Sequence, residues 1–279
     1  MSDTHLEIRP LTPAIGAEVF GVSLDQELAP ETVSAIRKAL QEHLVIVFHN
    51  QDLSTKQYLA FARLLGPPKA YPLLKGLEGF PEVHVVSKLE TELINFGGLW
   101  HSDTSYLERP PMLTMLYALE VPELGGDTLF ANQYLAYDAL SKPYQQFLSQ
   151  LKGRSIASNP AAAATRVDRI QEAGTGKREL ELEAVHPVVR THPETGRKAL
   201  YVNQAHTEHF EGMTTEESRS ILQYLFQHQT RPEFCCRLQW GKGSLAIWDN
   251  RCAQHNAVND YHGKRRVMHR INLQGDRPS

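Results

Sequence analysis

The 279-residue sequence has few cysteines, no long apolar run and no surplus of positive charge. Its three cysteines, Cys235, Cys236 and Cys252, follow no regular spacing, which argues against a disulfide-rich secreted fold and favours free thiols in a reducing compartment. No apolar stretch reaches the roughly 18 residues that a membrane-spanning helix needs. The first residues lack the basic and apolar regions of a signal peptide. We therefore expect a cytoplasmic protein without a membrane partner.

The charge balance argues against nucleic acid as a partner. The formal net charge is -3 at pH 7, whereas nucleic-acid binders more often carry a basic surplus. Hydrophobic residues make up 41% and charged residues 22%, an ordinary globular composition. We expect one domain over residues 1–279. The Ala-rich, charged stretch at about 153–184 is predicted to be a mobile insertion, either a solvated loop or a lid over substrate.

Hydrophobic patterning predicts many short strands and a few helices. Alternating or continuous apolar runs predict strands at 5–24, 44–48, 83–88, 112–118, 185–191, 199–203, 234–240, 244–248 and 265–273. Helical spacing of apolar residues predicts helices at 23–43, 54–65, 133–152 and 214–229. The fold class is therefore mainly β with flanking helices, either a β-sandwich or a jelly roll.

The tetrapeptide Trp100-His101-Ser102-Asp103 is the first candidate for chemistry. If it is a strand, residues i and i+2 point to the same side, so His101 and Asp103 face one point. An imidazole and a carboxylate supply two of the three ligands of a 2-His-1-carboxylate iron site. By itself the triplet is weak evidence, because a surface strand with two solvated polar groups fits it as well.

The C-terminal segment strengthens the iron interpretation. His255 can supply the third ligand, and ten residues lie between it and Arg266, enough for a turn and a returning strand. An iron-bound 2-oxoglutarate needs a partner for its distal carboxylate, and a guanidinium binds a carboxylate with two parallel hydrogen bonds. Strand parity puts Arg266 and Arg270 on one face and Arg265 on the other.

Several ordered motifs resemble the taurine dioxygenase (TauD/TfdA) family. They are Trp-His-Ser-Asp at 100–103, Gly-Gly-Asp-Thr at 125–128, Trp-Asp-Asn-Arg at 248–251, and then His255, Arg266 and Arg270. The resemblance runs from about residue 6 to residue 277. It implies a double-stranded β-helix (jelly-roll) core, Fe(II) as metal, 2-oxoglutarate and O2 as co-substrates, and a homo-oligomer, either a dimer or a tetramer.

The same resemblance implies roles for individual residues. His101, Asp103 and His255 would bind the iron and form the catalytic centre, and Thr128 and Arg266 would bind 2-oxoglutarate. The substrate, a small organic anion, would lie near Arg270, Tyr71, Thr104, Tyr106 and His206. Hydroxylation would give succinate and CO2 as co-products.

Departures from the family pattern concern the substrate. The histidine that binds the sulfonate in taurine oxidisers is replaced by Pro68, or by Lys69 if the loop slips, a nearby asparagine by Gly97, and a phenylalanine by His206. Taurine is therefore not expected. The run 71–83 looks more like the branch that oxidises aryloxypropionates, which leaves organosulfonates, alkyl sulfates and aryloxyalkanoates as substrate classes.

Two other functions remain open at this point. A hydrolase would hold zinc with the same three ligands and use an activated water as nucleophile. A jelly-roll binding protein would use the pocket without any metal. Neither interpretation explains Thr128 and Arg266 together.

Overall fold

The computed structural model describes residues 6–279, so the first residues considered for a signal peptide lie mostly outside the described part. Within it, the strands are β1 Glu7–Pro10, β2 Ala17–Phe20, β3 Val45–Phe48, β4 Pro68–Lys69, β5 Val83–Lys88, β6 Leu113–Glu120, β7 Thr128–Asn132, β8 Lys152–Ile156, β9 Glu183–Pro187, β10 Val189–Thr191, β11 Lys198–Leu200, β12 Thr207–Phe210, β13 Cys235–Leu238, β14 Leu245–Asp249, β15 Ala253–Ala257 and β16 Arg266–Leu273. The helices are α1 Pro30–His43, α2 Thr55–Leu65, α3 Gln133–Asp138, α4 Lys142–Leu148, α5 Pro160–Ala164, α6 Val167–Ala173 and α7 Thr215–His228.

The strands form one large sheet and three small ones. The large sheet has the order β1-β2-β3-β14-β6-β16-β4, with β5 also paired to β16. A second sheet has the order β13-β7-β15, a third the order β12-β8-β9, and β10 pairs with β11. Most neighbours in the large sheet are distant in sequence, so its strands are joined by long connections that carry the helices.

Two hydrophobic clusters lie on the two faces of the large sheet. On one face, α1 and α2 pack against the sheet, with Ile36, Phe61 and Ile247 among the buried residues. On the other, residues of the large sheet and of the β13-β7-β15 sheet share one cluster that includes Phe130 and Trp248. Strand β14 is buried along its whole length, because it contributes to both clusters. The candidate site lies beside the second cluster.

Reciprocal capping fixes the start of two helices. The Ser54 hydroxyl accepts from the Gln57 backbone N–H at 3.3 Å and the Gln57 side chain accepts from the Ser54 backbone N–H at 3.0 Å. Thr214 and Glu217 form the same box before α7. The predicted capping box at 54–57 is thus confirmed. None of the helices in residues 6–279 is both long and apolar enough to cross a lipid bilayer.

Prolines explain two errors in the predicted helices. The helix predicted at 23–43 begins only at Pro30, because the residue before a proline is driven to extended backbone and Ala29 has φ -61° and ψ 147°. The helix predicted at 133–152 is two short helices, α3 and α4. Pro143 lies in the first turn of α4, where its missing N–H is tolerated but where it cannot continue a preceding helix.

The segment predicted as a mobile insertion, 153–184, has secondary structure. Its ends lie in β8 and β9, which pair antiparallel from Lys152 opposite Pro187 to Ile156 opposite Glu183. Residues 157–182 therefore leave and return at the same place, and they contain α5 and α6. We call residues 157–182 the cover segment. Its mobility stays a prediction.

Candidate metal centre and the two cavities beside it

His101 and His255 face each other across a single β-bridge. Each backbone N–H donates to the other residue's carbonyl, at 3.0 Å and 2.9 Å, and the two ring centroids are 4.1 Å apart. His255 belongs to β15, whereas His101 is otherwise in a loop. Residues 100–103 are therefore not a strand, so the strand alternation considered for His101 and Asp103 does not apply. The two imidazoles converge because the loop pairs with β15, not because of strand alternation.

Asp103 lies in a turn directly after this bridge. Its backbone N–H donates to the Asn250 side chain at 3.2 Å, and the Thr114 hydroxyl donates to its Oδ2 at 2.5 Å. Thr104, the next residue, has φ +44°, a left-handed conformation that costs about 1–3 kcal/mol for a residue other than glycine. The backbone is thus strained at the residue next to Asp103, where the direction of the carboxylate is set.

The three predicted ligands are brought together. Oδ1 of Asp103 lies 3.5 Å from Nε2 of His101 and 3.8 Å from Nε2 of His255. All three ligand atoms are within 4.8 Å of one another, and all three residues are buried. Nδ1 of His101 donates to the Leu99 carbonyl at 2.6 Å, which leaves Nε2 as the lone-pair atom that a metal needs.

The charges at this centre suit a divalent cation. Burial opposes ionisation of Asp103, but Arg270, His255 and His101 outweigh it and hold the pKa of the carboxyl well below its usual range. Burial, with His101 nearby, lowers the pKa of His255, so its imidazole is neutral. One anion and two neutral imidazoles are the donor set of non-haem Fe(II) sites with open positions. The side chains present therefore fit the metal.

The first cavity, which we call the Tyr71 cavity, contains all five predicted substrate residues. It lies next to His101 and Asp103, which are among its lining residues. Tyr71 and Tyr106 meet there through their hydroxyl groups, 3.2 Å apart. The lining residues predicted from the sequence are Tyr71, Thr104, Tyr106, His206 and Arg270. Burial holds the pKa of His206 well below its usual range, so this imidazole is also neutral.

The Arg270 guanidinium has polar partners of its own within the described protein. Its Nη2 forms an ion pair with Oδ1 of Asp103, and its Nε donates to the Asn272 side chain at 3.2 Å. The guanidinium thus lies between the candidate metal ligand and the Tyr71 cavity. Arg265 is half exposed and pairs with Glu120, as strand parity predicts.

The second cavity, which we call the Arg266 cavity, also borders the imidazoles. His101, His255, Thr128 and Arg266 are among its lining residues. Nε and Nη2 of Arg266 are buried without a hydrogen-bond partner in the described protein. A buried, unpaired guanidinium is costly, so these nitrogens fit an anionic ligand of the size of a carboxylate. The cavity therefore fits the distal end of 2-oxoglutarate.

Two glycines matter because other groups approach their backbone closely. Gly126 has φ +71°, and a Cβ there would lie 3.3 Å from Cδ of Arg266 and 3.2 Å from the Tyr261 ring. Gly97 has φ +79°, and a Cβ there would lie 3.2 Å from Cε1 of His101. The glycine that replaces the family's asparagine thus leaves room for the His101 ring.

A second cluster of candidate ligands, His192, Asp249 and Cys252, is also buried with its ligand atoms within 4.8 Å. Nδ1 of His192 accepts from two backbone N–H groups, so Nε2 carries the hydrogen and donates to Asp249 at 3.1 Å. Asp249 also accepts from the Arg251 guanidinium at 2.6 Å. These groups already satisfy one another, so they form an ion-pair network and not a metal site.

The sequence did not point to three residues of the Tyr71 cavity. Ala162, Thr165 and Arg166 line it, and all three belong to the cover segment. Their positions depend on the β8–β9 pairing, for which the Ala-rich sequence gives no local signal.

Comparison with known proteins agrees with this geometry. Residues 7–272 match the model of the family described as taurine catabolism dioxygenase TauD, TfdA. An alkylsulfatase of Acinetobacter baylyi is 34% identical, with 98% of this chain and 86% of that protein covered. The alpha-ketoglutarate-dependent 2,4-dichlorophenoxyacetate dioxygenase of Cupriavidus pinatubonensis is 35% identical, with 88% and 90% covered.

A solved structure has the same fold. The crystal structure of a taurine dioxygenase from Burkholderia xenovorans superposes with a TM-score of 0.83 at 35% identity, covering 98% of this chain and 90% of that one. The predicted fold class, mainly β with flanking helices around a jelly-roll core, is confirmed.

Proposed function

The chain belongs to the TauD, TfdA dioxygenase family, and from that premise we propose that it hydroxylates a small organic anion at the centre formed by His101, Asp103 and His255. Its relatives depend on 2-oxoglutarate (alpha-ketoglutarate), and the chain is a dioxygenase that uses Fe(II) and 2-oxoglutarate. The resemblance stated from the sequence motifs is thus confirmed at the level of the family and the reaction class.

One observation carries the assignment of residues. The three donor atoms of the candidate metal centre and the unpaired nitrogens of Arg266 border the same cavity. A zinc hydrolase needs the donor atoms but gives no role to a buried guanidinium on that side. A metal-free binding protein needs neither. A protein that binds a metal together with a dicarboxylate requires both the three donor atoms and the unpaired guanidinium.

We assign the following tasks to the side chains. His101, Asp103 and His255 hold the iron, which with 2-oxoglutarate and O2 supplies the oxidant and yields succinate and CO2. Arg266 and Thr128 bind the distal carboxylate of 2-oxoglutarate, and Trp240 donates to the Thr128 hydroxyl at 3.0 Å, which fixes its orientation. Burial of these groups excludes water and strengthens each charge interaction.

Arg270 and its neighbours orient the substrate. The guanidinium lies beside the metal centre and lines the Tyr71 cavity, where an anionic head would compete with Asp103 for it. The aromatic and aliphatic lining, which includes Phe96, Leu99 and Tyr106, can pack against an apolar tail. The chain would thus hold one C–H bond of the tail next to the metal centre.

The substrate class follows from the anion site and the relatives. Those relatives act on alkyl sulfates, sulfonates and 2,4-dichlorophenoxyacetate according to their names. We propose the same three classes here, namely organosulfonates, alkyl sulfates and aryloxyalkanoates. Taurine is a poor candidate because β4 has Pro68 or Lys69, and no histidine, at the position where the family resemblance puts the sulfonate-binding histidine of taurine oxidisers.

The deciding experiment measures succinate formation by the purified protein with Fe(II), 2-oxoglutarate and O2 across a panel of these anions. We expect stimulation by at least one class and none by the matching uncharged alcohols or ethers. Replacement of Fe(II) by Zn(II) should abolish succinate formation. Substrate cleavage with zinc and without 2-oxoglutarate would favour the hydrolase instead.

We also propose a cytoplasmic location and a homo-oligomer, either a dimer or a tetramer. The three cysteines Cys235, Cys236 and Cys252 are free thiols, which supports a reducing compartment. Light scattering of the purified protein tests the oligomer, and a monomer at micromolar concentration would contradict it.

A further inference from the structure

Arg166 brings a second guanidinium to the Tyr71 cavity. It lies between α5 and α6 in the cover segment, is 4% exposed, and lines the cavity together with Ala162 and Thr165. Arg270, by contrast, comes from β16 of the large sheet. The cavity therefore has one buried arginine from the core and one from the cover segment.

The hydrogen bonds of Arg166 leave one of its nitrogens free. Nε donates to Glu179 at 2.8 Å, and Nη2 donates to the Ala157 carbonyl at 2.5 Å and also lies 2.7 Å from Glu179. Both partners belong to the cover segment itself. In residues 6–279, Nη1 makes no hydrogen bond, so the guanidinium is held in place by Nε and Nη2. One donor thus remains free on a residue that lines the cavity.

The groups around Arg166 favour its charged form. Burial opposes the charge, but the neighbouring groups, Glu179 among them, outweigh burial and raise the pKa of Arg166. Arg166, Arg270 and the hydroxyl pair of Tyr71 and Tyr106 all line the same cavity. The two arginines thus reach one cavity from different elements.

We propose that Arg166 is a specificity-determining residue that donates a hydrogen bond from Nη1 to the anionic group of the substrate, so that the anion is held between Arg270 and Arg166. This inference rests on the proposed function. It assigns the cover segment a direct part in recognition, because an anionic substrate adds a link to Arg270 of the core to the contacts that already hold the segment, such as Thr175 to Leu73 and Arg169 to Glu92. An uncharged analogue of the same shape makes no such connection.

The opposing interpretation is that Arg166 only ties the cover segment together through Glu179. That role predicts a loss of stability when Arg166 is replaced, and equal changes for charged and uncharged ligands. The proposed role predicts a selective loss of affinity for the anion. Substrate affinity and 2-oxoglutarate affinity, measured separately, distinguish the two.

The test uses the full protein loaded with Fe(II) and 2-oxoglutarate without oxygen, titrated by calorimetry with hexanesulfonate, hexyl sulfate and 2-phenoxypropionate. Arg166→Met keeps the aliphatic stem and removes the donor, and Arg166→Lys keeps the charge. The matched control is Arg178→Met, in the same segment, where the side chain is 74% exposed and pairs only with Glu181.

For each anion that the wild type binds, Arg166→Met should raise Kd by roughly 10- to 100-fold, the effect of one hydrogen bond to a charged group, with 2-oxoglutarate Kd within about twofold. Arg166→Lys should have an intermediate Kd for the anion, and Arg178→Met should have the Kd of the wild type.

Unchanged anion affinity in Arg166→Met, or an equal loss of affinity for 2-oxoglutarate, would overturn the proposal. If Arg166→Met does not fold, Arg166→Lys takes its place in the test. An anion affinity equal to that of the wild type in Arg166→Lys would then overturn the proposal. Failure of the proposed function looks different, because the wild type itself would then form no succinate with any anion.

Discussion

Replacing Arg266 by methionine should make the metal-free protein more stable and at the same time insensitive to 2-oxoglutarate. Arg266 is 5% exposed, and its Nε and Nη2 have no hydrogen-bond partner in the described protein. Burial lowers the pKa of its guanidinium, a sign that the charged form is poorly solvated there. The nearby carboxylate of Asp127 is occupied by Arg237 at 2.5 Å. A methionine fills most of the same volume without an unpaired charge.

The magnitude follows from what a buried, uncompensated cation costs. Replacing buried charges by apolar residues of similar volume gains about 1–4 kcal/mol. The stacking of Arg266 on Trp240, 5.5 Å from Cζ to the ring centroid, offsets about 0.5–2 kcal/mol of this gain. The middle of both ranges leaves a net gain of roughly 1 kcal/mol, and about 2–4 °C in Tm accompanies each kcal/mol in a chain of this size class, so Tm should rise by roughly 2–4 °C. Without the guanidinium, the distal carboxylate of 2-oxoglutarate loses its charged partner, which costs about 2–5 kcal/mol of binding free energy. The Kd of 2-oxoglutarate should therefore rise roughly 30- to 5,000-fold.

The assay is thermal unfolding with a chelator present, followed by the same scan with Fe(II) and 2-oxoglutarate under nitrogen. Arg265→Met is the matched control, because the neighbouring side chain is 47% exposed and pairs with Glu120. The control should show a wild-type Tm and a wild-type response to 2-oxoglutarate. The reasoning is refuted if Arg266→Met has a lower Tm than the wild type without ligand, or if 2-oxoglutarate still raises its Tm as much as in the wild type.

Three further changes test other parts of the molecule. His101→Ala should abolish iron binding and all succinate formation, as measured by metal content and turnover, and retained stoichiometric iron would contradict its role as a ligand. Asp249→Asn leaves the buried Arg251 guanidinium with only the partly exposed Glu194 as a charged partner among the described residues and should lower the free energy of unfolding by about 1–3 kcal/mol in urea titrations, with iron stoichiometry unchanged. Burial lowers the pKa of His84 from 6.5 to about 3, so between these values the unfolded chain binds a proton that the folded chain does not. As pH drops through this window, His84 should therefore lower the free energy of unfolding by about 1.4 kcal/mol per pH unit, in addition to the contributions of other buried histidines such as His206 and His255, and His84→Phe, which can keep the stacking on Tyr71, should reduce the slope by that amount in chelator-treated protein.

The sequence predicts the large sheet well where strands are regular. Strand β16 carries Arg266 and Arg270 on its buried face and Arg265 outside, as the two-residue period requires. The capping box at Ser54 likewise depends on residues three apart and is confirmed. In both cases the information is local, because the side chains that decide the outcome are neighbours along a regular backbone.

Strand alternation indicated that His101 and Asp103 face one point, and the structure brings them together in a different way. His101 and Asp103 do not alternate along a strand, since Asp103 lies in a turn and Thr104 has a left-handed backbone. What brings the side chains together is the bridge from His101 to His255, a contact across more than 150 residues. The spacing of His101 and Asp103 alone could not distinguish a bridge followed by a turn from a regular strand, because either arrangement places the two side chains next to one point.

The limits of local information are clearest for Arg166. The surrounding alanines and charges predict that residues 153–184 are an insertion, either a solvated loop or a lid over substrate, but they do not single out Arg166. The place of Arg166 depends on the pairing of β8 with β9, which returns the cover segment to the core, and on Glu179, which fixes one edge of the guanidinium. The metal centre could be inferred from residue types because its chemistry restricts the ligands to a few kinds. A donor on a cover segment is not restricted in this way, so Arg166 becomes a candidate only in the folded chain, whereas Arg270 and Tyr71 are expected from the family resemblance.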